Sequence, residues 1–238
     1  NTTWTPSWTS MERASTMWYH PHLHHKTYKH VMMGVSGLII NKDSDEGALD
    51  LPRDYGIDDI PLIFQTKVMD ANYQIDANMM NSVMDTLFLA NATRNAYFDA
   101  PAQIVRFRIL NGSPMRVYNI GLSNGNDFWV IGSDGGLLSA PVQNNRLLIA
   151  PGERYEILVD LSGMQGQNIS ILNYGTGIPS STYGSGTMMG GGAIQNYNNN
   201  HLNGADFTML SLNVIAQTLN PITTIPATLV SVNPYSQS

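Results

Sequence analysis

Four of the six histidines in this 238-residue chain fall in one nine-residue stretch, WYHPHLHHK, from Trp18 to Lys26, and His30 follows closely. Neutral imidazole is a frequent ligand of transition metals, so metal binding is the first chemistry the stretch suggests. On a strand, residues i and i+2 share a face with Cα atoms roughly 6.5–7 Å apart, so His20 and His22 would project in parallel. That spacing suits two neighbouring ions taking one nitrogen each better than it suits a single ion. Pro21 has no N–H to give a ladder, which predicts an edge strand or a bulge whose restricted φ preorganises both rings. On spacing alone, an exposed histidine-rich loop with adventitious affinity is the competing explanation. His24 continues the alternation and suits a hydrogen-bonding role behind the ligands. His25 faces the other way, His30 has no fixed assignment, and His201, in NNNHLNG, belongs to a solvated loop.

Composition removes several other chemistries. With no cysteine, the chain offers neither a thiolate ligand nor a disulfide framework. The acids are scattered, and no Ser-His-Asp or paired-carboxylate arrangement follows from their spacing. A net charge of -6 with only 13% charged residues leaves no basic stripe for nucleic acid. No apolar run approaches the roughly 18 residues of a spanning helix, and residues 1–10 lack the basic start of a signal peptide. The four Asn-x-Ser/Thr sequons, at Asn1, Asn91, Asn111 and Asn168, are explained by chance in a chain rich in these residues. Methionine is abundant, with pairs at Met32-Met33, Met79-Met80 and Met188-Met189. Thioether suits cuprous ion, but most of these residues are expected as core filling. Only Met188 and Met189, in GSGTMMGGG, are candidates for exposed thioether ligands.

The elements that would carry these residues are strands. In 104–110 (IVRFRIL), Val105, Phe107 and Ile109 alternate with Arg106 and Arg108, and 155–160 (YEILVD) alternates likewise. Further strands are expected at 35–40, 61–67, 86–90, 115–122, 128–133, 145–149, 169–174 and 207–214. Turn signals separate them at short intervals, at Asn111-Gly112, Asp134-Gly135-Gly136 and Pro151-Gly152. The fold class is all-β, an antiparallel sandwich or barrel. The acidic, turn-rich stretch 41–56 is expected to be a linker, and 219–238 a departing linker. The Gly- and Asn-rich stretch 175–204 is expected to be a long mobile loop.

The histidine stretch also resembles a known pattern. WYHPHLH, followed by Met33-Gly34-Val35-Ser36-Gly37-Leu38, is similar to the W-[YF]-H-x-H-x-H and M-G-L-x-G-L segments of multicopper oxidases. Downstream, DDIPLIFQ (58–65), RFRILN (106–111), GSDGGLL (132–138) and APGERY (150–155) resemble family segments in the same order. The resemblance runs from Trp18 to about Asp160, and points to the three-domain bacterial group of cuprous oxidases, spore-coat laccases and bilirubin oxidases. It implies cupredoxin-like Greek-key β-sandwich domains, with residues 1–45 ending a first domain and 46–218 forming a second. Residues 219–238 would then lead toward a third.

The resemblance further implies a trinuclear copper cluster between the first and third domains and a cysteine-ligated copper in the third. Substrate, either phenols or cuprous ion, would be oxidised while dioxygen is reduced to water. His20 and His22 correspond to ligands of the type 3 copper pair. His24 corresponds to the third histidine of the pattern, normally not a ligand, and His25 stands where glycine is usual. The remaining histidine motifs and the cysteine are absent from this sequence. The chain is therefore expected to act with the rest of the oxidase, upstream domain 1 and a cysteine-bearing domain 3, in the periplasm or outside the cell. A noncatalytic, copper-poor binding or structural module is the alternative. The intact HPHLH favours the oxidase, because a copper-free relative has no physical need of those side chains.

Overall fold

The computed structural model describes residues 5, 7–77, 85–188, 194 and 197–232. The all-β expectation is met by thirteen strands among the described residues. They are β1 (Ser15–Tyr19), β2 (Gly37–Asn41), β3 (Asp59–Lys67), β4 (Leu87–Ala90), β5 (Tyr97–Pro101), β6 (Ile104–Asn111) and β7 (Tyr118–Leu122). After these come β8 (Phe128–Ser133), β9 (Gly136–Asn144), β10 (Leu147–Ile149), β11 (Arg154–Asp160), β12 (Asn168–Tyr174) and β13 (Asp206–Ile215). Two short helices, α1 (Thr27–Met32) and α2 (Ser44–Gly47), lie before β3.

Strands β3 to β13 build a sandwich. One sheet runs β4-β3-β6-β11-β8-β9 and the other β10-β7-β12-β13-β5, while β1 and β2 form a separate antiparallel pair. Two neighbour pairs, β3 with β6 and β5 with β13, are parallel, which corrects the purely antiparallel expectation. Alternation reports which face of a strand is buried, but it carries no information on partner direction. Between the sheets lies one apolar core that includes Phe64, Phe107, Phe128, Tyr118, Ile171 and Leu212. Its inward residues are the period-2 positions of each strand: Val105, Phe107 and Ile109 on β6, Ile157 and Val159 on β11.

The outer face of the six-stranded sheet is covered as well. Ile104, Ile131, Leu137 and Leu158 meet Leu51 and Leu229 in a second apolar cluster. The stretch expected as a departing linker thus lies on the sheet where it is described: the Leu229 N–H donates to the Ser139 carbonyl, and that of Ile104 to Ile222. The stretch 41–56 carries α2, capped by the Asp43 carboxylate, and buries Glu46 and Leu51.

Stretch 175–204 departs from its expected mobility wherever it is described. Tyr183, Ser185, Tyr197 and Asn200 are buried. The Tyr197 hydroxyl donates to the Ser185 carbonyl, and Tyr183 and Asn200 both donate to the Asp85 carboxylate. Composition alone read this segment as loose, whereas its aromatic residues seat it against a buried ion pair between Arg116 and Asp85.

Candidate functional site

Strand β1 leads directly into the histidines. It pairs with β2 in the register Trp18 to Leu38 and Tyr19 to Gly37. A Cβ at Gly37 would lie 2.7 Å from the exposed Tyr19 ring, so a larger residue there would need that ring to swing aside. The strand ends at Tyr19, so His20-Pro21-His22 lies just beyond it and not on an edge strand or bulge, as the spacing predicted. Proline removes the donor that pairing needs, and the chain leaves the sheet where Pro21 falls. A turn follows through His25, whose φ of 59° is left-handed. That backbone accounts for the usual glycine of the pattern at this place. Helix α1 then carries His30.

The rings stand in sequence along the loop. The Trp18 and His20 centroids are 4.4 Å apart, and those of His20 and His22 are 5.9 Å apart with planes 37° from parallel. His20 is half-buried and His22 exposed. Nδ1 of His20 lies 3.1 Å from the Pro21 carbonyl oxygen. A carbonyl can only accept, so Nδ1 is the donor in this contact, and in the neutral ring the lone pair then falls on Nε2. Neutral imidazole held in one tautomer by a backbone carbonyl is the usual state of a metal-ligating histidine. The donor set therefore fits copper, although two imidazoles fill only part of its coordination shell. Among the described residues, no group of three or more His, Cys, Asp or Glu is placed to hold an ion.

The other candidates are distributed differently. His24 and His25 are exposed with ring centroids 3.7 Å apart. His30 is half-buried, and its Nδ1 has no hydrogen-bond partner among the described residues. His201 is exposed, as expected of the Asn-rich loop, and far along the chain from the pair. Met188 is half-buried, and Met189 lies outside the described residues.

What spacing did not reveal is the support behind β1. Arg106 and Arg108 turn away from the apolar core yet are only 1% exposed. Arg106 reaches Glu156 through Nε and Nη2 and Glu46 through Nη1. Arg108 holds Asp59 with two hydrogen bonds and donates from Nη1 to Glu156 and to the Thr16 hydroxyl. The Thr16 hydroxyl in turn donates to Glu156 over 2.6 Å. Burial alone would raise the Glu156 carboxyl, but Arg106 and Arg108 more than offset this and hold it below its usual range. A second support reaches α1. Lys67, 3% exposed, donates from Nζ to the carbonyls of Met32, at 2.7 Å, and Val31, at 3.3 Å. Burial pushes its ammonium down to about 8. The signal that could have found this support is RFR on one strand and Glu156 near the start of YEILVD on its neighbour: charged side chains interleaved with apolar ones in strands.

Similarity to known proteins agrees with this arrangement. Two models of the multicopper oxidase family match the chain, over residues 1–46 and 99–199, together more than half of it. The cell division protein FtsP of Xenorhabdus nematophila is 39% identical over 171 residues, which are 71% of this chain and 36% of that protein. FtsP of Escherichia coli is 37% identical over 174 residues, again 36% of its length. The chain thus spans about a third of the curated relatives it matches. Among solved structures, the McoA multicopper oxidase of the hyperthermophile Aquifex aeolicus superposes with a TM-score of 0.80 at 35% identity. That match covers 97% of this chain and 48% of McoA. The laccase-like multicopper oxidase CueO of Ochrobactrum sp. gives 0.78 at 30% identity, covering 98% of this chain and 48% of CueO. The sandwich is cupredoxin-like in these neighbours and here. Sequence and fold agree, and the chain belongs to the multicopper oxidase family.

Proposed function

We propose that the chain supplies His20 and His22 to the type 3 pair of a trinuclear copper cluster in a multicopper oxidase. The protein that contains it would couple one-electron oxidation of a small reducing substrate, a phenol or cuprous ion, to four-electron reduction of dioxygen to water. Bound copper would supply the redox chemistry. This chain's part is to present two imidazoles from a loop between β1 and α1. The observation that carries the reading is the His20 Nδ1 contact with the Pro21 carbonyl, which leaves Nε2 available as a ligand. Residues 1–45 would close one cupredoxin-like domain, 46–218 form the next, and 219–238 lead to a third. The remaining ligands, a cysteine among them, would come from those neighbouring parts. A periplasmic or extracellular setting suits such chemistry, and among the described residues no helix is long and apolar enough to cross a membrane.

A second reading is favoured by one observation. The curated relatives quoted above carry the name of a cell division protein, FtsP, and not that of an oxidase. On that reading the chain belongs to a copper-poor binding or structural module. Denaturing intact-mass spectrometry together with copper analysis of the purified protein separates the two. A cysteine-containing polypeptide that carries stoichiometric copper supports the oxidase. A copper-free protein with no oxygen uptake on a phenol or on cuprous ion supports the module.

A further inference from the structure

The loop from His20 to Lys26 makes few bonds of its own. Apart from the His20 contact with Pro21, its hydrogen bonds among the described residues are those of the Lys26 N–H and the Thr27 hydroxyl to the Leu23 carbonyl, and that of the His30 N–H to the Lys26 carbonyl. All of these are local, so they shape the loop without placing it. Besides the β1–β2 ladder, two buried side-chain contacts tie the flanks of the loop to the sandwich. Upstream, the Thr16 hydroxyl both donates to Glu156 and accepts from Arg108, inside a network whose members are almost wholly buried. Thr16, Trp18 and His20 alternate along the chain, and the Trp18 ring centroid lies 4.4 Å from that of His20. Downstream, Lys67 of β3 grips the last turn of α1 through two carbonyls, and among the described residues no carboxylate bonds its ammonium. A buried ammonium is costly to keep, and here its bonds go to the backbone of the segment that follows the histidines.

We infer that Thr16 and Lys67 are positioning residues for the His20–His22 pair: two buried polar clasps through which the sandwich sets the histidine loop. Among the described residues neither side chain hydrogen-bonds an imidazole. Thr16 acts through β1 and Trp18, and Lys67 acts through α1. The metal arm of the test rests on the copper-ligand reading of the pair, while the positional arm does not.

The experiment uses the full chain with histidine-selective isotope labelling. In the parent, the Trp18 indole shifts the His20 ring protons upfield, and the amides of 27–33 exchange slowly. In Thr16→Val and Lys67→Met the upfield shift collapses, and exchange across 20–33 accelerates. Affinity for added Cu(II) falls about tenfold in both, the scale seen when groups behind a metal ligand are lost. Thr16→Ser, which restores the hydroxyl, keeps all three parent values. The inference is overturned if both disruptive variants fold and retain the His20 shift, the slow exchange and the copper affinity, or if Thr16→Ser fails as Thr16→Val does. Should Thr16→Val unfold the chain, Lys67→Met decides alone. His20→Ala/His22→Ala separates the two claims: unchanged Cu(II) affinity there sinks the ligand reading, and the ring shift and exchange still decide the positioning.

Discussion

Arg108 and Asp59 meet in a two-pronged ion pair, Nε to Oδ1 at 2.6 Å and Nη2 to Oδ2 at 2.9 Å, with both side chains out of contact with water. The pair joins β6 to β3, and through Glu156 and Thr16 it extends to β11 and β1. A buried network of this kind is costly to break, because loss of one member strands the others in a medium that solvates them poorly. Arg106→Met leaves Glu46 and Glu156 without their shared guanidinium, at a cost of about 3–5 kcal/mol. Urea denaturation measures it, and an unchanged midpoint contradicts the role given to the network.

Acid should find the same weak point. The Glu156 carboxyl is held below its ordinary 4.5, so the folded chain resists protonation further into acid than the unfolded chain does. Its contribution is complete above pH 4.5 and drains as pH falls through the depressed folded value. Thermal unfolding followed between about pH 6 and 3 should show parent stability falling more steeply than that of Glu156→Gln.

Lys67 gives the opposite slope. Its folded value of about 8 lies under the ordinary 10.5, so the folded chain gives up this proton before the unfolded chain does. Stability from this group therefore rises as pH climbs from about 8 toward 10.5. The rise is absent from Lys67→Met, and the difference between the two melting curves across that window is the quantity to measure.

Asp85 holds three groups of the 175–204 segment and its surroundings: Arg116, Tyr183 and Asn200. The Arg116 guanidinium also sits 5.3 Å from the Tyr183 ring centroid. Asp85→Asn removes the counter-charge of a buried arginine and should free the segment. A nonspecific protease is expected to cut there first in the variant and to spare it in the parent. Equal cleavage in both would show that the ion pair does not seat the segment.

Ala92 adopts φ 60° beside Asn91 at 46°, in the tight turn where Ala90 and Thr93 exchange backbone hydrogen bonds. Consecutive left-handed residues in such a turn favour Asn-Gly, and here the second place holds a Cβ. Ala92→Gly should raise stability by about 1 kcal/mol, with an unchanged denaturant slope.

How much of this could be read in advance depended on what each residue signals locally. Phe107 and its neighbours alternate as a half-buried strand does, and β6, β8 and β11 fall within a residue or so of where the pattern puts them. Strands β1, β5 and β9 escaped notice. In β5, Tyr97 and Phe98 adjoin Asp99 and Pro101, so no clean alternation is visible; β9 includes Pro141 and polar residues near its end. At the site, the types His20 and His22 were legible and their backbone was not, since a proline between two ligands is compatible with several local paths. The supports were hidden for a different reason. Thr16, Glu46, Asp59 and Glu156 are far apart in the chain, and only the fold makes them neighbours of two arginines.

The function proposed for the loop turns on whether His20 and His22 ligate copper in the protein to which this chain belongs. The most direct test is copper analysis of that whole protein, purified in parallel as parent and as His20→Ala/His22→Ala, with folding checked by circular dichroism. If they do, the parent holds stoichiometric copper, and the variant loses the type 3 absorption and part of the copper. A parent free of copper, or a variant that binds as much as the parent with the same spectrum, would contradict that function.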